Sequence, residues 1–418
     1  MEKAHVNGDR KYWFVIEPYV YLSLKNNIIF LYNTLDGAYL KSSDTKIIHF
    51  FESQVTDYKS PNLLSGSQLK DKKLFDFISE LRQRFMADII ETTLTNGSPL
   101  QFTPILNIQN SKNRFISDPN RTIGENLLIH LHEVSFFLKD ISHFSNKCYP
   151  ISSTEVDPYT TYPKYSLDLR LIQLFLEQIK IKEDLTVNII IKNPSEYKEW
   201  SNLIAYLNKL PFKKRYIIHI DNLYINNDFD TVIDDRSIVN YVIDLSNPCT
   251  LVKLSSIKNI NNKNEYSFLA YREDDIIQIE HFIDKYKDTK YHVIPIYNNL
   301  NIDFFRENVY LTEDDILESP ISMKQIFINQ SINIESFGRL SVVPNGDVYS
   351  NIFHKAIGNV KKDTILGIIN YEMNHGTSWL SVRDDFPCNE CHFQWLCPTP
   401  SIYELILKKI NLCDIKKS

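Results

Sequence analysis

Residues 388–413 read CNECHFQWLCPTPSIYELILKKINLC, and this run determines how the end of the chain folds. It holds four of the six cysteines of the 418-residue chain, with spacings of two, five and fifteen residues between them. Closely spaced thiols that can converge on one point are typical of zinc sites and of iron–sulfur clusters. We therefore predict one metal site, with the four ligands Cys388, Cys391, Cys397 and Cys413.

Two alternatives exist for these cysteines, a disulfide framework and thiols without a ligand. Disulfide frameworks belong mainly to small secreted chains, whereas this chain begins with the polar residues MEKAH rather than with an apolar secretory signal. Free thiols and a metal site both fit a reducing, cytoplasmic location. Spacing alone does not separate a [4Fe–4S] cluster from zinc, so both stay open as the cofactor. Because four thiolates leave no ligand position free, we expect a structural or electron-relay role.

Length and charge restrict the class of protein. A chain of 418 residues is long enough for two or three domains. Its net charge of −6 gives no general attraction for nucleic acid, and no apolar run reaches the length of a membrane span. With only 10 glycines it also has no phosphate-binding glycine motif. Neither nucleic acid nor a membrane is therefore expected as a partner.

Residues 1–106 are predicted to form a small α+β module. Apolar runs with a turn signal near Asn26 predict paired strands at residues 19–24 and 27–33, and residues 34–40 are predicted as a second hairpin with Asp36-Gly37 as its turn. A helix capped by Asp44 and a longer one follow, and apolar spacing of three and four places the longer helix over residues 69–90. Hairpins and helices of this size are typical of a winged-helix-like module. The polar residues 107–121 are predicted as a linker.

Residues 122–318 change to an alternation of short apolar strands and amphipathic helices. Strands that are apolar on both faces are typical of buried parallel sheets. About six such units predict either a partial (β/α)6 barrel or an open doubly wound sheet, both in the α/β class. The strand candidates are residues 127–138, 186–191, 216–220, 239–245, 266–271 and 292–296.

Residues 319–418 are predicted to form a third, metal-binding domain. A hairpin over residues 340–349 has Asn345-Gly346 as its turn signal, and the cysteine run follows about forty residues later. A small cysteine-rich unit of this kind needs a metal to hold it together.

This hairpin and the cysteine run together resemble the SPASM domain of radical SAM peptide-modifying enzymes. The resemblance rests on the segments GRL at 338–340, GDVY at 346–349 and IGNV at 357–360, together with the cysteine spacing. The closing stretch from Cys397 to Cys413 is similar, more specifically, to the maturases of grasp-with-SPASM systems. It implies that the partners are an ATP-grasp ligase and a ribosomal precursor peptide of the graspetide type, and that the central region is a radical SAM-like partial barrel. Residues 1–106 resemble the PqqD-like winged helices that recognise precursor peptides, which implies leader binding by strand addition at residues 19–24 or 27–32.

The sequence departs from that family at the residues that bind SAM. The family needs a C-x3-C-x2-C motif after the first barrel strand, where this chain has only Cys148. The usual Gly-Gly-Glu has no counterpart, and the residues near that place are 193–196. Two further cysteines of the SPASM pattern would fall near Glu335 and at Asn351. The radical SAM cysteine motif is therefore absent, and SAM is not expected as a cofactor.

Other side chains that could bind metal or carry charge have simpler interpretations. Residues 130–133, on the first predicted strand, read His-Leu-His-Glu. The two histidines are interpreted as core or rim residues. His392 is interpreted as a donor to a thiolate, and Cys148 and Cys249 as structural cysteines. The acidic pairs 234–235 and 274–275 are interpreted as charges at helix N-termini.

Three functions remain open. The chain is predicted to act in ribosomal peptide maturation with an ATP-grasp ligase and without radical SAM chemistry. The first alternative is an active iron–sulfur peptide-modifying maturase. The second is a zinc-stabilised scaffold that binds the precursor, so the sequence leaves open whether the protein is an enzyme.

Overall fold

The computed structural model describes residues 10–56, 61–98, 127–139, 166–180, 182, 184–219, 233–246, 264–287 and 289–415. Cys148, Cys249 and the predicted linker at 107–121 lie outside these residues.

The N-terminal module contains two three-stranded antiparallel sheets and two helices. Its elements are β1 (Lys11–Ile16), β2 (Val20–Lys25), β3 (Ile28–Asn33), β4 (Tyr39–Ser42), α1 (Thr45–Thr56), β5 (Asn62–Ser65), α2 (Lys72–Gln83) and β6 (Ala87–Glu91). The strand orders are β5-β1-β6 and β2-β3-β4. The two predicted hairpins are confirmed, since β2 pairs with β3 and β3 pairs with β4. The winged-helix character of the module stays a prediction.

The turn between β2 and β3 has a conformation that its two asparagines favour. Lys25 pairs with Ile28, so that Asn26 and Asn27 alone form the loop, with φ of 52° and 56°. Two-residue hairpin loops with positive φ at both positions match the right-handed twist of the strands, and asparagine tolerates that conformation well. The turn is therefore tight, and it points the end of β2 outward at a fixed place.

The helix predicted over residues 69–90 is wrong in its second half. The structure has a 3-10 turn at Gln68–Lys70 and then α2, which ends at Gln83. Phe85 has φ of 56°, a conformation that ends a helix, and β6 follows and pairs Ile89 with Phe14 of β1. The apolar spacing of Phe85 and Ile89 continued the helical pattern by coincidence, because Ile89 belongs to a strand.

The central region is a parallel sheet whose strands follow one another in sequence. Its strands are β7 (Glu133–Phe137), β8 (Thr186–Ile191), β9 (Lys213–His219), β10 (Ser237–Asp244), β11 (Glu265–Ala270) and β12 (Lys290–Pro295). The helices are α3 (Leu169–Gln178), α4 (Trp200–Leu207), α5 (Glu273–Lys285), α6 (Ile302–Val309) and α7 (Glu313–Leu317). The α/β class is confirmed.

The order of these strands separates the two predicted architectures. β7 to β12 are neighbours in chain order and all pairs between them are parallel. A doubly wound sheet reverses its strand order at a switch point, whereas a barrel segment does not. The order thus agrees with a partial barrel, whose curvature and closure stay a prediction.

The first predicted strand is shorter than expected. Residues 127–130 form a 3-10 turn, and β7 begins only at Glu133. Gly338 explains the change of direction, since its carbonyl accepts hydrogen bonds from the backbone N–H groups of His132 and Glu133 at 2.7 and 3.1 Å. It has φ of +74°, and a Cβ there would lie 2.2 Å from the carbonyl oxygen of His130. Only glycine fits this close approach.

Each face of the central sheet buries a different core. Val187 and Ile189 of β8 pack with α3 and α4 side chains such as Phe175 and Leu203. On the opposite face Ile190 packs in a smaller cluster of residues drawn from the other parallel strands. Strands buried on both faces explain the continuous apolar runs in the sequence.

The C-terminal region extends this sheet rather than standing apart from it. Its elements are α8 (Met323–Ser331), β13 (Arg339–Val342), β14 (Asp347–Tyr349), β15 (Gly358–Asn359), α9 (Ile365–His375) and α10 (Ile402–Ile406). The predicted hairpin is confirmed as β13 and β14, with Gly346 at φ +92° in its turn. β13 also pairs in parallel with β7, which gives nine strands in the order β12-β11-β10-β9-β8-β7-β13-β14-β15. The domain limits at 106, 122 and 318 stay predictions.

Candidate metal centre

The four cysteines of the C-terminal run border one cavity. Cys388, Cys391, Cys397 and Cys413 all line a cavity of about 460 Å³. All four are free thiols rather than disulfides. Residues up to 25 positions apart in the sequence thus line one cavity, while their role as ligands of one metal site stays a prediction.

Tight turns position the first three thiols. A 3-10 turn at Cys388–Glu390 brings the second cysteine back over the first, and the backbone N–H of Cys391 donates to the carbonyl of Cys388 at 3.0 Å. A further turn brings the N–H of Cys397 to the carbonyl of Phe393 at 2.8 Å. Such turns orient neighbouring side chains to one side, which explains the spacings of two and five residues.

A short strand-like bridge brings in the fourth thiol. Cys413 pairs in parallel with Leu311, whose N–H donates to the carbonyl of Leu412 at 3.0 Å and whose carbonyl accepts from Asp414 at 2.9 Å. Arg306 of α6 fixes the same segment through Asp414, with Nε 2.7 Å from Oδ2. The fourth ligand position therefore depends on the region just after the parallel sheet.

Burial favours the protonated form of the first three thiols of the run. Burial raises the pKa of Cys388 and of Cys391, and it raises the pKa of Cys397 to about 12. The nearby Arg383 guanidinium opposes the effect at Cys388 and Cys397. A metal would have to displace these protons, so its binding should depend on pH.

The spacing of the side chains bears on the kind of metal. Across the part of the chain that the structure describes, no three His, Cys, Asp or Glu side chains are placed to hold a single metal ion. A tetrahedral zinc ion with bonds near 2.3 Å would bring its sulfurs to about 3.8 Å of one another. A cluster of four irons takes the same four thiolates around a larger body. The four thiols supply the donor set that either group takes, and the choice between zinc and a cluster stays a prediction.

Arg383 and Asn411 donate hydrogen bonds to the thiols. Arg383 is buried, and its Nη1 lies 3.6 Å from Sγ of Cys388 and 2.8 Å from Oε1 of Glu404. Burial by itself would lower the pKa of Arg383, but Glu404 and the thiols raise it, so the side chain is charged. Asn411 Nδ2 lies 3.2 Å from Sγ of Cys413. Donors to sulfur of this kind tune metal sites.

The N-terminal module forms one wall of the same cavity. Asn26 and Asn27 of the β2–β3 turn line it, and Asn26 Nδ2 donates to the carbonyl of Glu390 at 3.0 Å. Lys25 Nζ donates to the carbonyl of Asn389 at 2.7 Å and also to Oε1 of Gln394. Burial lowers the pKa of Lys25 to about 8, against the opposing effect of Cys391 and Cys388.

An aromatic cluster joins the two regions beneath this turn. Phe30 of β3 is fully buried, with its ring centre 5.1 Å from that of Phe393 and 5.2 Å from that of His392. The hydroxyl of Tyr32 accepts a hydrogen bond from the N–H of Ile321 at 2.7 Å. The β2–β3 hairpin is therefore packed against the cysteine run rather than resting on it loosely.

Sequence reasoning did not find Lys25 or Arg383. Lys25 lies 364 positions before Asn389, and no sequence pattern connects the two. Arg383 carries a weak signal, because it is a basic residue five positions before the first cysteine of the run.

His392 lies in the wall of the same cavity. Its ring packs on Phe30 and Phe393, and burial lowers its pKa. Its Nε2 makes no hydrogen bond with the described residues. Donation to a thiolate stays a prediction.

The predicted placement of the two strand histidines is wrong. His130 belongs to the 3-10 turn and His132 precedes β7, so they do not lie two apart on one strand. Burial lowers the pKa of His132. Glu133 accepts from Asn188 Nδ2 at 2.7 Å and lies 4.0 Å from Arg339, which makes it part of a polar network within the sheet.

One of the two acidic pairs is also corrected. Asp234 is not at a helix N-terminus but receives a hydrogen bond at 2.5 Å from Lys214, which is buried, and another at 2.6 Å from Ser237. Its partner in that pair, Asp235, is likewise in the loop before β10. By contrast, Asp274 and Asp275 lie in the first turn of α5, as predicted.

At two positions where the SPASM pattern would have cysteines, this chain has side chains that accept hydrogen bonds from backbone N–H groups. Asn351 accepts a hydrogen bond from the N–H of Phe353 at 3.0 Å. Glu335 accepts from the N–H of Ile402 at 2.9 Å, and burial raises its pKa. Near the place of the usual Gly-Gly-Glu, Asn193 caps a 3-10 turn and Glu196 pairs with Lys139 at 3.2 Å.

Comparison with known proteins gives structural likeness only. No protein-family model and no curated protein matches the sequence. SuiB of Streptococcus suis bound to S-adenosylmethionine is similar over 96% of this chain and 99% of that chain, with a TM-score of 0.46 and 12% identity. SuiB bound to the precursor peptide SuiA gives a TM-score of 0.38 and 11% identity over 96% and 98% of the two chains.

BtrN in complex with AdoMet and 2-DOIA is similar over 65% of this chain and 95% of that chain, with a TM-score of 0.33 and 11% identity. Identities of 12% or lower and TM-scores below 0.5 are too low to assign a family or an activity. None of the helices in the described ranges has the length and apolar character needed to cross a bilayer.

Proposed function

We propose that this chain is a maturation protein for ribosomally synthesised peptides that acts with an ATP-grasp ligase on a precursor peptide. The observation that carries the proposal is the meeting of two parts at one cavity. The four thiols of the SPASM-like run line it, and the turn of the N-terminal module closes one side. A metal centre placed against a peptide-recognition module is what such a maturation protein needs.

The four thiols are proposed to hold a [4Fe–4S] cluster, with zinc as the alternative. The resemblance of the cysteine run to the SPASM domain favours the cluster, whereas the missing radical SAM cysteine motif favours zinc. Such a cluster supplies electron transfer, or structural support where it is not reduced. Metal analysis after anaerobic purification tests this directly. One cluster per chain is expected, and a single zinc with no sulfide would favour the scaffold.

The protein is proposed not to cleave SAM. Between residues 122 and 318 the sequence has two cysteines, Cys148 and Cys249, and neither lies in a three-cysteine motif. One thiolate cannot hold a cluster with an open iron. Anaerobically reconstituted protein should form no 5′-deoxyadenosine from SAM. Formation that disappears in a Cys148→Ser variant would instead show an active radical maturase.

Strand addition is the proposed mode of precursor binding, and the structure changes which edge could accept it. Of the two predicted edges, residues 27–32 form β3, the central strand of its sheet, whereas residues 19–24 include β2, an edge strand whose residues 20–23 have buried side chains. β5 is at the edge of the other sheet and has Leu63 47% exposed. An extended peptide adds to such an edge through main-chain hydrogen bonds, with side-chain pockets providing selectivity.

Binding of the precursor leader can be measured by fluorescence polarisation, using the leader peptide encoded beside this protein. A Leu63→Lys variant should weaken binding at least about tenfold, because it removes an apolar contact on the strand. A Leu94→Lys variant is a matched control, since Leu94 is 78% exposed but lies beyond β6. Equal affinity of the two variants would remove β5 as the binding edge.

A further inference from the structure

The four-cysteine site needs positive charge beside it, whichever metal it holds. Four thiolates with Zn²⁺, or with an oxidised [4Fe–4S] core, leave roughly two units of negative charge on the group. Three of the four sulfurs belong to side chains whose thiol pKa is raised by burial. A buried anion without counter-charge is costly, so cations within a few ångströms stabilise it strongly.

Two cations among the described residues lie near the cysteine run, and they differ in their ion pairing. Arg383 lies at Cys388 but is paired with Glu404 at 2.8 Å, and both side chains are buried. Lys25 Nζ donates to the carbonyl of Asn389, the residue after Cys388, and to the amide oxygen of Gln394, and the charges of Cys391, Cys388 and Glu390 act on it. Among the described residues it forms no ion pair with a carboxylate, Glu390 included.

Lys25 is also held in place by its position in the chain. It is the last residue of β2, and the tight Asn26-Asn27 turn fixes the direction of the strand end. Beneath it, Phe30 is buried against His392 and Phe393. The ammonium is thus carried to the cysteine run by a rigid hairpin of a different module.

We propose that Lys25 is the counter-charge of the metal centre, supplied by the N-terminal module. This inference rests on the proposed four-thiolate site and adds a positioning residue to it. The module is then more than a peptide-recognition unit, because it contributes an essential charge to the metal site 363 positions away at Cys388 (388 less 25). Arg383 is the local, already paired cation, and Lys25 is the one that balances the added charge.

The test asks whether the metal centre depends on the charge of Lys25 or only on the packing of its side chain, and it uses the full chain. Wild type, Lys25→Met, Lys25→Gln and Lys25→Arg are reconstituted anaerobically with iron and sulfide, and separately loaded with Zn²⁺ alone. Zinc affinity is measured by competition with a chelator. The midpoint potential of the cluster is measured by titration of its visible absorption. Lys41→Met is the matched control, since Lys41 also connects the two regions, through an ion pair with Glu313 at 2.9 Å.

Loss of the charge should weaken the metal centre by at least about tenfold, as expected for one charge near a buried anion. A tenfold change in the equilibrium between oxidised and reduced cluster corresponds to 59 mV for a one-electron couple. The midpoint potential should fall when Lys25 is neutralised, because reduction adds negative charge that the lysine no longer balances. Lys25→Arg should stay near wild type, and Lys41→Met should change neither quantity by more than about twofold. Lys25→Gln keeps a polar side chain at the turn and serves where Lys25→Met does not fold.

Two results would overturn the proposal in distinguishable ways. If the wild type loads metal and the neutral Lys25 variants behave like Lys41→Met, the counter-charge role is wrong while the metal site stands. If the wild type loads neither metal, the four-thiolate site itself is wrong and Lys25 has no anion to balance.

Discussion

The central sheet and the cysteine run are held together by opposite means. Strands such as β8 bury Val187, Ile189 and Ile190 almost completely, on both faces of a continuous parallel sheet. Residues 388–413 instead consist mostly of turns, with one five-residue helix, and Glu404 of this run forms a buried ion pair with Arg383, which precedes it. Apolar burial makes the first region self-sufficient, whereas the second has the composition of a unit that folds around a metal. We therefore expect that loss of the metal destabilises residues 388–413, whereas a mutation in the apolar core destabilises the sheet.

The largest effect should come from removing a buried thiol. Cys397→Ser is expected to abolish metal binding and to unfold the C-terminal run, because metal-binding energy there is folding energy. The sheet should keep its protection from hydrogen exchange. Metal content and exchange mass spectrometry measure both. Unchanged metal content with unchanged exchange in residues 388–413 would mean that the two regions are held by the same forces.

A mutation in the core of the sheet is expected to have a smaller effect than removal of a thiol, and the effect should be confined to the sheet. Ile189→Ala should destabilise the sheet by about 2–5 kcal/mol, because it leaves a cavity in a fully buried position. Metal content per folded chain should stay at the wild-type value. Urea unfolding followed by tryptophan fluorescence gives the stability, and inductively coupled plasma analysis gives the metal. A loss of metal equal to that of Cys397→Ser would contradict the separation.

An ion pair inside the sheet region gives an intermediate effect with a pH signature. Burial would raise the pKa of Asp234, but Lys214 and Ser237 outweigh it and lower the pKa. A depressed folded pKa contributes stability above the unfolded pKa near 3.9, and that stability is lost as pH falls through the folded value.

Asp234→Asn should therefore cost about 1–3 kcal/mol at pH 7, with a smaller loss of stability on acidification than in wild type. The range is set below that of a fully buried pair because about a quarter of the Asp234 side chain is exposed. Urea midpoints between pH 3 and pH 7 measure both quantities. Parallel acid profiles for variant and wild type would show that the pair does not act in this way.

The smallest effect is expected on the surface between the two regions. Lys41→Met removes an ion pair in which Lys41 is 48% exposed, so the stability should fall by less than about 1 kcal/mol. Raising the salt concentration should reduce the difference from wild type, because exposed pairs are screened. A larger effect that persists in high salt would mean that this ion pair, rather than the aromatic cluster around Phe30, joins the regions.

Local patterns predicted the elements well but not their connections. The run at 186–191 gave β8 to the residue, and Asn345-Gly346 marked the β13–β14 turn, because period and turn chemistry are local properties. The helix predicted over residues 69–90 was too long, because no local sequence pattern shows that Ile89 pairs with Phe14 in a sheet. The strand assignment of His130 failed for a similar reason, because Gly338 redirects that segment from more than 200 positions away.

The shared location of the four cysteines could be predicted from the sequence, whereas the residues around them could not, and the metal site itself stays a prediction. Four cysteines in one short run are visible in the sequence, and the structure brings them to one cavity. Lys25 and Arg383 were missed because their roles depend on tertiary contacts that no spacing encodes. Sequence therefore identifies candidate ligands, while the charge around them requires the fold.

The pairing of β13 with β7 has a consequence for the order of synthesis. β7 ends at residue 137 and β13 ends at residue 342, so 205 residues (342 less 137) must be made before this edge of the sheet is covered. At about 5–20 residues per second, the nascent chain exposes that edge for roughly 10–40 s. An uncovered strand edge of this kind pairs readily with other chains. Productive expression should therefore respond to chaperone supply and to lower temperature during translation, and truncations that end before residue 339 should aggregate.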